Sequence, residues 1–440
     1  MNVTIIGGGL AGCEAAWQLA SRGVTVELYE MKPNQKNPAQ QLSTMAELVC
    51  SNSLRSDRLS NAVGLLKAEM RKLGSLIMHV ADDTAVPAGG ALAVDRVSFS
   101  QQIDAAIRNH PQISVHDEEI CEIPAQGTVV IATGPLTSDA LSNDIARLSG
   151  LSTLHFYDAA APIVTADSLD MSKVFRMSRY ERGEDYLNCP MTREEYMAFT
   201  HALQTAETVE IHGFEEKAVF EGCMPIESMA KRGDLSIAFG PLKPVGLCDP
   251  RTGKEPFAVV QLRQDNYSGS LYNLVGFQTR LTYPEQRRVF GMIPGLETAE
   301  FARLGVMHRN TFLNSPGFLD DTYRVLGQER LSFAGQITGV EGYVESAASG
   351  LLVGLTLAYR ERGLEPPRFS GKTAIGAMAR YVSTPNKRFQ PMNCAFGLID
   401  ELEVAPGERR IRNKQQRYEK ISERALLEID AAFRQLEQVQ

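Results

Sequence analysis

The first apolar run of the chain is short and unbroken: Val3-Thr-Ile-Ile6 enters Gly7-Gly-Gly-Leu-Ala-Gly12. Apolar residues then recur at helical spacing to Leu19, and a second β-branched run, Val24-Thr-Val-Glu-Leu-Tyr, closes on Glu30. A continuous apolar run fits a buried parallel strand, and a 3.6-residue period fits a helix. Residues 1–30 are therefore predicted to be strand, helix, strand. In that setting Gly7-x-Gly9-x-x-Gly12 acquires chemical meaning. Gly7 permits the tight turn, Gly9 lets a phosphate approach the backbone, and Gly12 lets the helix pack close to the strand. Gly8, Leu10 and Ala11 complete a loop and helix start whose N–H groups and dipole favour a pyrophosphate. Glu30 falls where a carboxylate accepts ribose hydroxyls. These residues predict a dinucleotide site and do not separate FAD from NAD.

The pattern changes along the chain. Residues 31–60 are polar and read as a long loop over the nucleotide. Residues 61–80 carry apolar positions at helical spacing, and Val86–Val94 reads as a turn inside an apolar stretch before Asp95, a helix cap. Thr128-Val-Val-Ile-Ala-Thr133-Gly134 is a strand stopped by glycine. Residues 156–324 alternate strands, turns and helices without a glycine fingerprint. Leu331-Ser-Phe-Ala-Gly335 resumes the strand–glycine pattern and leads into a helix ending near Arg362, before Pro366 and Pro367. The expected fold class is α/β. It comprises a Rossmann-like nucleotide domain from 1–155 and 325–365, an inserted α+β domain at 156–324, and a short helical C-terminal region at 366–440.

At 440 residues the chain exceeds one simple core. No apolar run approaches the ~18 residues of a membrane span, and Met-Asn leads directly into a strand, which leaves no room for a signal peptide. Seven scattered cysteines without a C-x-x-C pair argue against a disulfide framework or a zinc site, and for a reducing, cytoplasmic setting. A net charge of −8 argues against a uniformly basic coat. Locally, Glu408 to Arg424 holds seven basic residues against three acids, and Arg280, Arg287 and Arg288 surround a Tyr-Pro turn. Either could touch phosphates. On charge alone, a solvated helix with i,i+4 pairs is the better reading of the first.

Two distant segments turn the dinucleotide into FAD. The small-residue strand end at Thr133-Gly134 is what flavoproteins place beside the nucleotide. Gly335-Gln336-Ile-Thr-Gly339-Val-Glu-Gly342-Tyr343 aims a helix start at the other end of the cofactor, with Gln336 where an acid is usual. No second G-x-G-x-x-G follows, so a nicotinamide reductant is expected to dock transiently.

The whole chain resembles the folate- and FAD-dependent tRNA (uracil-5-)-methyltransferases. The resemblance rests on Glu47-Leu-Val-Cys50-Ser-Asn-Ser-Leu, Pro87-Ala-Gly-Gly-Ala-Leu-Ala-Val-Asp95-Arg96, Asp185-Tyr-Leu-Asn-Cys189-Pro-Met, Pro250-Arg-Thr-Gly-Lys-Glu-Pro-Phe, Met307-His-Arg-Asn-Thr-Phe-Leu-Asn314 and Ala334 to Gly350. A longer relative that modifies the tRNA wobble uridine shares the FAD core. The resemblance implies methylation of C5 of the T-loop uridine of tRNA. It implies 5,10-methylenetetrahydrofolate as carbon donor, reduced FAD as methylene carrier and hydride donor, and NADH or NADPH as reductant. It implies no membrane attachment and no stable protein partner. The same motifs fit an rRNA uracil-5-methyltransferase, and a simple FAD oxidoreductase and a non-catalytic FAD-dependent RNA-binding protein remain as alternatives.

Uracil C5 is a weak nucleophile until a thiolate adds at C6. The resemblance assigns Cys223, in Phe220-Glu-Gly-Cys-Met-Pro, as that nucleophile and Cys50 as its partner thiol and base, with the roles exchangeable. Cys189 reads equally as structural or functional. Cys13, Cys121, Cys248 and Cys394 read as structural. Tyr343 could stack on a ring. The resemblance suggests that His212 covers the folate pterin, and Arg309 and Asn310 could reach flavin or folate.

Overall fold

The computed structural model describes residues 2–37, 39–149, 154–180, 182–209, 224–386, 389–403 and 411–437. Asn2–Ile6 is strand β1, Leu10–Ala20 is helix α1 and Thr25–Tyr29 is strand β2. β1 and β2 lie centrally in a five-stranded parallel sheet. Its order is Leu331–Phe333, Thr128–Ile131, β1, β2, Ile113–His116. Both faces are covered, which explains why β1 and Thr128–Ile131 read as apolar runs without alternation. Val3, Ile5, Val129, Val130 and Ile131 are fully buried.

The long helix Tyr343–Glu361 crosses α1 at small residues. A Cβ on Gly350 would sit 2.1 Å from the Ala11 carbonyl oxygen, and one on Gly354 would sit 2.7 Å from that of Ala15. Glycine at both positions lets two helix backbones touch. Residues about 340 positions apart in sequence thereby form one rigid backing for the glycine loop.

A second sheet has six antiparallel strands in the order Phe175–Arg176, Tyr186–Met191, Ala258–Gln264, Leu271–Leu274, Ile163–Thr165, Phe301–Arg303. Helix Arg193–Thr205 packs on it and starts with a reciprocal cap between Thr192 and Glu195. This sheet builds its own core around Tyr196, Phe199, Val260, Tyr272, Phe277 and Phe290.

Two local expectations are corrected. The polar stretch 31–60 contains the strand Ser53–Ser56, and Val86–Val94 contributes two strands rather than one turn. Together Ser53–Ser56, Ala91–Val94 and Ala85–Val86 form a small antiparallel sheet. The Ser-Leu-Arg-Ser sequence has one buried residue, Leu54, too few for a period to show. Beyond residue 366 the described helices are Ala374–Ser383 and Lys414–Glu437, with irregular chain between them. Ile375, Met378, Ile421 and Ile429 from these helices join the core of the parallel sheet. Among the described residues, no helix is long and apolar enough to cross a membrane.

Candidate active site

The glycine loop is held from below. Gly7 has φ +105°, and a Cβ there would lie 2.6 Å from the Ala132 carbonyl oxygen. A Cβ on Gly12 would lie 1.8 Å from the Gly7 oxygen. Both glycines are demanded by the fold itself. Gly9 is different: its φ is −77°, and a Cβ there would meet no protein atom within 4 Å. The protein gives no internal reason for glycine at position 9, so the clearance belongs to something that approaches from outside. Leu10, Ala11 and Gly12 begin α1, whose start has no side-chain cap and no acid in the first turn. Those are the properties of a phosphate seat. Glu30 is 7% exposed and accepts N–H groups from Gly8 at 2.6 Å and Lys32 at 3.0 Å. Its carboxylate is thereby fixed at the pocket rim, with lone pairs left for hydroxyl donors. Gly7, Gly8, Gly9, Glu30 and Thr133 line one pocket. This cradle fits the adenosine diphosphate half of a dinucleotide.

Thr133 and Gly134 end the neighbouring strand, and Gly134 (φ +68°) opens a short turn to Leu136. The turn Gln336–Thr338 lies against it. Gly335 (φ +87°), Gly339 (φ +88°) and Gly342 (φ +109°) make the left-handed bends that bring this segment back to α1. Gly335 donates its N–H to Ser349 Oγ at 2.7 Å. Gln336 directs its amide to Glu341 Oε2 at 2.7 Å, an intrachain bond that the sequence reading did not foresee.

Tyr343 links the two halves of the site. Its hydroxyl accepts the backbone N–H of Cys50 at 2.7 Å and of Ser51 at 3.3 Å. Burial, then the neighbouring Cys50, pushes this phenol well above its ordinary range, so it stays protonated. Beside it Glu345, in the first turn of the same helix, pairs with Arg55 and accepts the Cys394 N–H. The Cys50 loop is thus tied to the helix start that closes the glycine segment.

The same loop reaches the antiparallel sheet. Arg96 donates to the Leu48 carbonyl at 2.7 Å and pairs with Asp265 at 2.8 Å. Arg263 donates to Asn52 Oδ1 at 3.0 Å and to Ser51 Oγ at 2.6 Å, while Asn52 donates to the Gln264 carbonyl at 2.9 Å. Residues 48–52 are therefore the joint between the two cores. Sequence reasoning gave no role to Arg96, Arg263, Asp265 or Arg303. The available signal was weak: Arg263 interrupts an otherwise apolar strand, and Arg96 ends a long family-like motif.

Cys223 and His212 lie outside the described residues. The chain re-enters at Met224, and Ile226 donates to the Gln278 carbonyl at 2.8 Å. Arg309 and Asn310 lie on Met307–Phe312, opposite Tyr157 and Phe156 of strand Leu154–Ala159. The backbone of Met307–Phe312 runs beside the turns at 134–136 and 336–338.

The remaining cysteines divide by burial. Cys189 is fully buried in the second core, where burial pushes its thiol up to about 12, with Glu297 adding to the effect. Such a thiol is inert. Cys189→Ser is expected to cost about 1–3 kcal/mol by burying a hydroxyl. Activity per folded molecule should be unchanged, as thermal melting and specific activity together would show. Cys13 and Cys394 are buried, whereas Cys121 and Cys248 are exposed, so neither of the latter two is a packing residue. Of the basic C-terminal stretch, Arg424 is engaged with the carbonyls of Asp400 and Glu401 and Lys420 with Glu423. Lys414 and Arg417 flank the Tyr418 ring.

Residues 2–365 match the family model described as glucose inhibited division protein A. The chain is 58% identical over 431 residues to a Lactobacillus gasseri protein named methylenetetrahydrofolate–tRNA-(uracil-5-)-methyltransferase TrmFO, covering 98% of this chain and 97% of that one. It is 59% identical over 431 residues to a Geobacter sulfurreducens protein of the same name, covering 97% and 98%. Its fold is similar to that of GidA from Aquifex aeolicus, with a TM-score of 0.70 at 18% identity, over 98% of this chain and 76% of that one.

Proposed function

Since this chain belongs to the glucose inhibited division protein A family, and within it to the folate- and FAD-dependent tRNA (uracil-5-)-methyltransferases, we infer that its two-core joint is where a tRNA uridine is methylated at C5. The enzyme uses methylenetetrahydrofolate as one-carbon donor and FAD as cofactor. The observation that carries the site assignment is the Tyr343–Cys50 bond, which ties a thiol loop to the helix that backs the glycine cradle.

FAD, when bound, supplies the two electrons that turn a transferred methylene into a methyl group. NADH or NADPH is the proposed source of those electrons. Gly7 to Gly12 would hold the pyrophosphate, and Glu30 would hold the ribose. Thr133, Gly134, Gly335, Gln336 and Gly342 would supply the turns that flank the rest of the cofactor. Tyr343, kept protonated by burial, fixes the Cys50 backbone and so the reach of its sulfur. A thiolate adding at uracil C6 makes C5 nucleophilic toward the one-carbon unit; once that bond has formed, a second group removes the C5 proton and the C6–S bond breaks, which returns the thiolate. Cys50 and Cys223 are proposed to divide these two tasks. His212, Arg309 and Asn310 are proposed to contact folate. The target is the T-loop uridine, which must leave its stack to meet thiol and cofactor together. Residues 156–324 are proposed as the folate- and RNA-facing domain, and the cell compartment as the cytoplasm, without a stable protein partner.

The test is transfer of labelled carbon from methylenetetrahydrofolate to a T-loop transcript with NAD(P)H present. Incorporation is expected at the T-loop uridine. An FAD-loaded enzyme that labels an rRNA fragment instead, or nothing, would overturn the assignment.

A further inference from the structure

Cations outnumber carboxylates around the Cys50 loop. From the side of the parallel sheet come Arg96 and Lys32. From the antiparallel sheet come Arg263 and Arg303. Two acids face them. Asp265 pairs with Arg96 at 2.8 Å, and Glu47 lies 3.7 Å from Lys32. Among the described residues no carboxylate pairs with Arg263 or Arg303. Among the described residues Arg263 bonds to neutral groups, namely Ser51, Asn52, Tyr186 and, at 3.4 Å, Asn273, and Asp265 attracts it from farther off. Arg303 is 7% exposed and, among the described residues, makes one long bond, 3.3 Å to the Ala39 carbonyl. The Nε atoms of Arg303 and Arg96 are both buried without a hydrogen-bond partner.

A buried guanidinium cannot shed its charge, and leaving it uncompensated is costly. Burial first, then the like charge of Arg96, bears on Arg303. Two groups able to become anions stand within electrostatic reach of both Arg96 and Arg303, namely Cys50 and Tyr343. Burial keeps the Tyr343 phenol neutral. The thiol remains. Arg96 grips the Leu48 carbonyl on one side of it, and Arg263 grips Ser51 and Asn52 on the other.

We propose that Arg96, Arg263 and Arg303 form a guanidinium cage that holds the Cys50 sulfur as a thiolate, with Arg303 as the positioning residue that, among the described residues, no carboxylate pairs with directly. The proposal rests on Cys50 being a working thiol, and it is tested separately from that reading. A cage of this kind makes Cys50 the nucleophile, or a base already deprotonated before the uridine arrives.

The experiment is site-resolved alkylation of the FAD-loaded enzyme by iodoacetamide between pH 5 and 10, read by peptide mass spectrometry. Exposed Cys248 serves as an internal reference. Cys50 is expected to titrate at least about one unit below the ordinary thiol value of ~8.5. In Arg303→Met the midpoint should rise by about one unit, so that alkylation near neutral pH slows up to ~10-fold, while Arg303→Lys keeps the low midpoint. Removing Arg303 orphans no carboxylate, so FAD content should persist. A Cys50 midpoint at or above the ordinary value in the unmutated enzyme overturns the cage, whatever the variants do. An unmoved midpoint in FAD-loaded Arg303→Met overturns it as well. Carbon transfer that survives Cys50→Ser would instead sink the catalytic reading and leave the alkylation profile standing.

Discussion

Cys50→Ser is expected to lower carbon transfer to a T-loop transcript by at least ~10²–10⁴-fold, the range set by losing a positioned base, and further if Cys50 is the nucleophile. FAD content should stay at the level of the unmutated enzyme. The reason is geometric. The Cys50 backbone N–H, not its sulfur, makes the bond to Tyr343, and serine preserves that N–H. The glycine cradle lies on other elements and does not depend on the thiol. Colour and activity should therefore part company: a yellow protein without methylated product. A colourless Cys50→Ser protein would mean that the thiol supports cofactor binding, and full activity would remove Cys50 from the chemistry. Cys223→Ala is expected to behave alike, from its sequence motif alone.

Gly9→Val should produce the opposite pairing, a stable fold without FAD. A side chain at position 9 meets no protein atom within 4 Å and needs no left-handed backbone, so the apoprotein tolerates it. The valine methyls then occupy the space by which a pyrophosphate approaches the start of α1. We expect FAD content below a tenth of normal, with a melting temperature close to that of the unmutated apoprotein. Gly12→Val is the control. Its Cβ alone would lie 1.8 Å from the Gly7 oxygen, so the turn itself must break and the fold with it. Retention of normal FAD by Gly9→Val, checked by absorbance after desalting, would refute the assigned cradle.

The glycine fingerprint, its flanking strands and the returning segment at 331–350 were legible because each obeys a local rule. The apolar run, the glycine offset and the helical period all act within about twenty residues. The small sheet at Ser53–Ser56 was not legible, since its partner Ala91–Val94 lies some forty residues away and supplies the burial. The arginines around Cys50 were hidden for the same reason. Arg96 begins a helix, Arg263 lies within a strand and Arg303 ends one, and only the meeting of the two cores brings them to one loop. Cys189 shows the converse. Its polar-looking motif, Asp185-Tyr-Leu-Asn-Cys-Pro, belongs to a central antiparallel strand whose alternation hides a buried face.

The contact of Gly350 and Gly354 with Ala11 and Ala15 carries a consequence for biogenesis. The first thirty residues leave the ribosome with every glycine of the loop in place. Their helix lacks its backing until residues 343–361 have been made, and the strand Leu331–Phe333 at the sheet edge comes equally late. Such a distant pairing forms slowly and late. Nascent chains halted before residue 330 should therefore fail to retain FAD, whereas chains released after 365 should capture it. Cofactor loading would then mark completion of the parallel sheet.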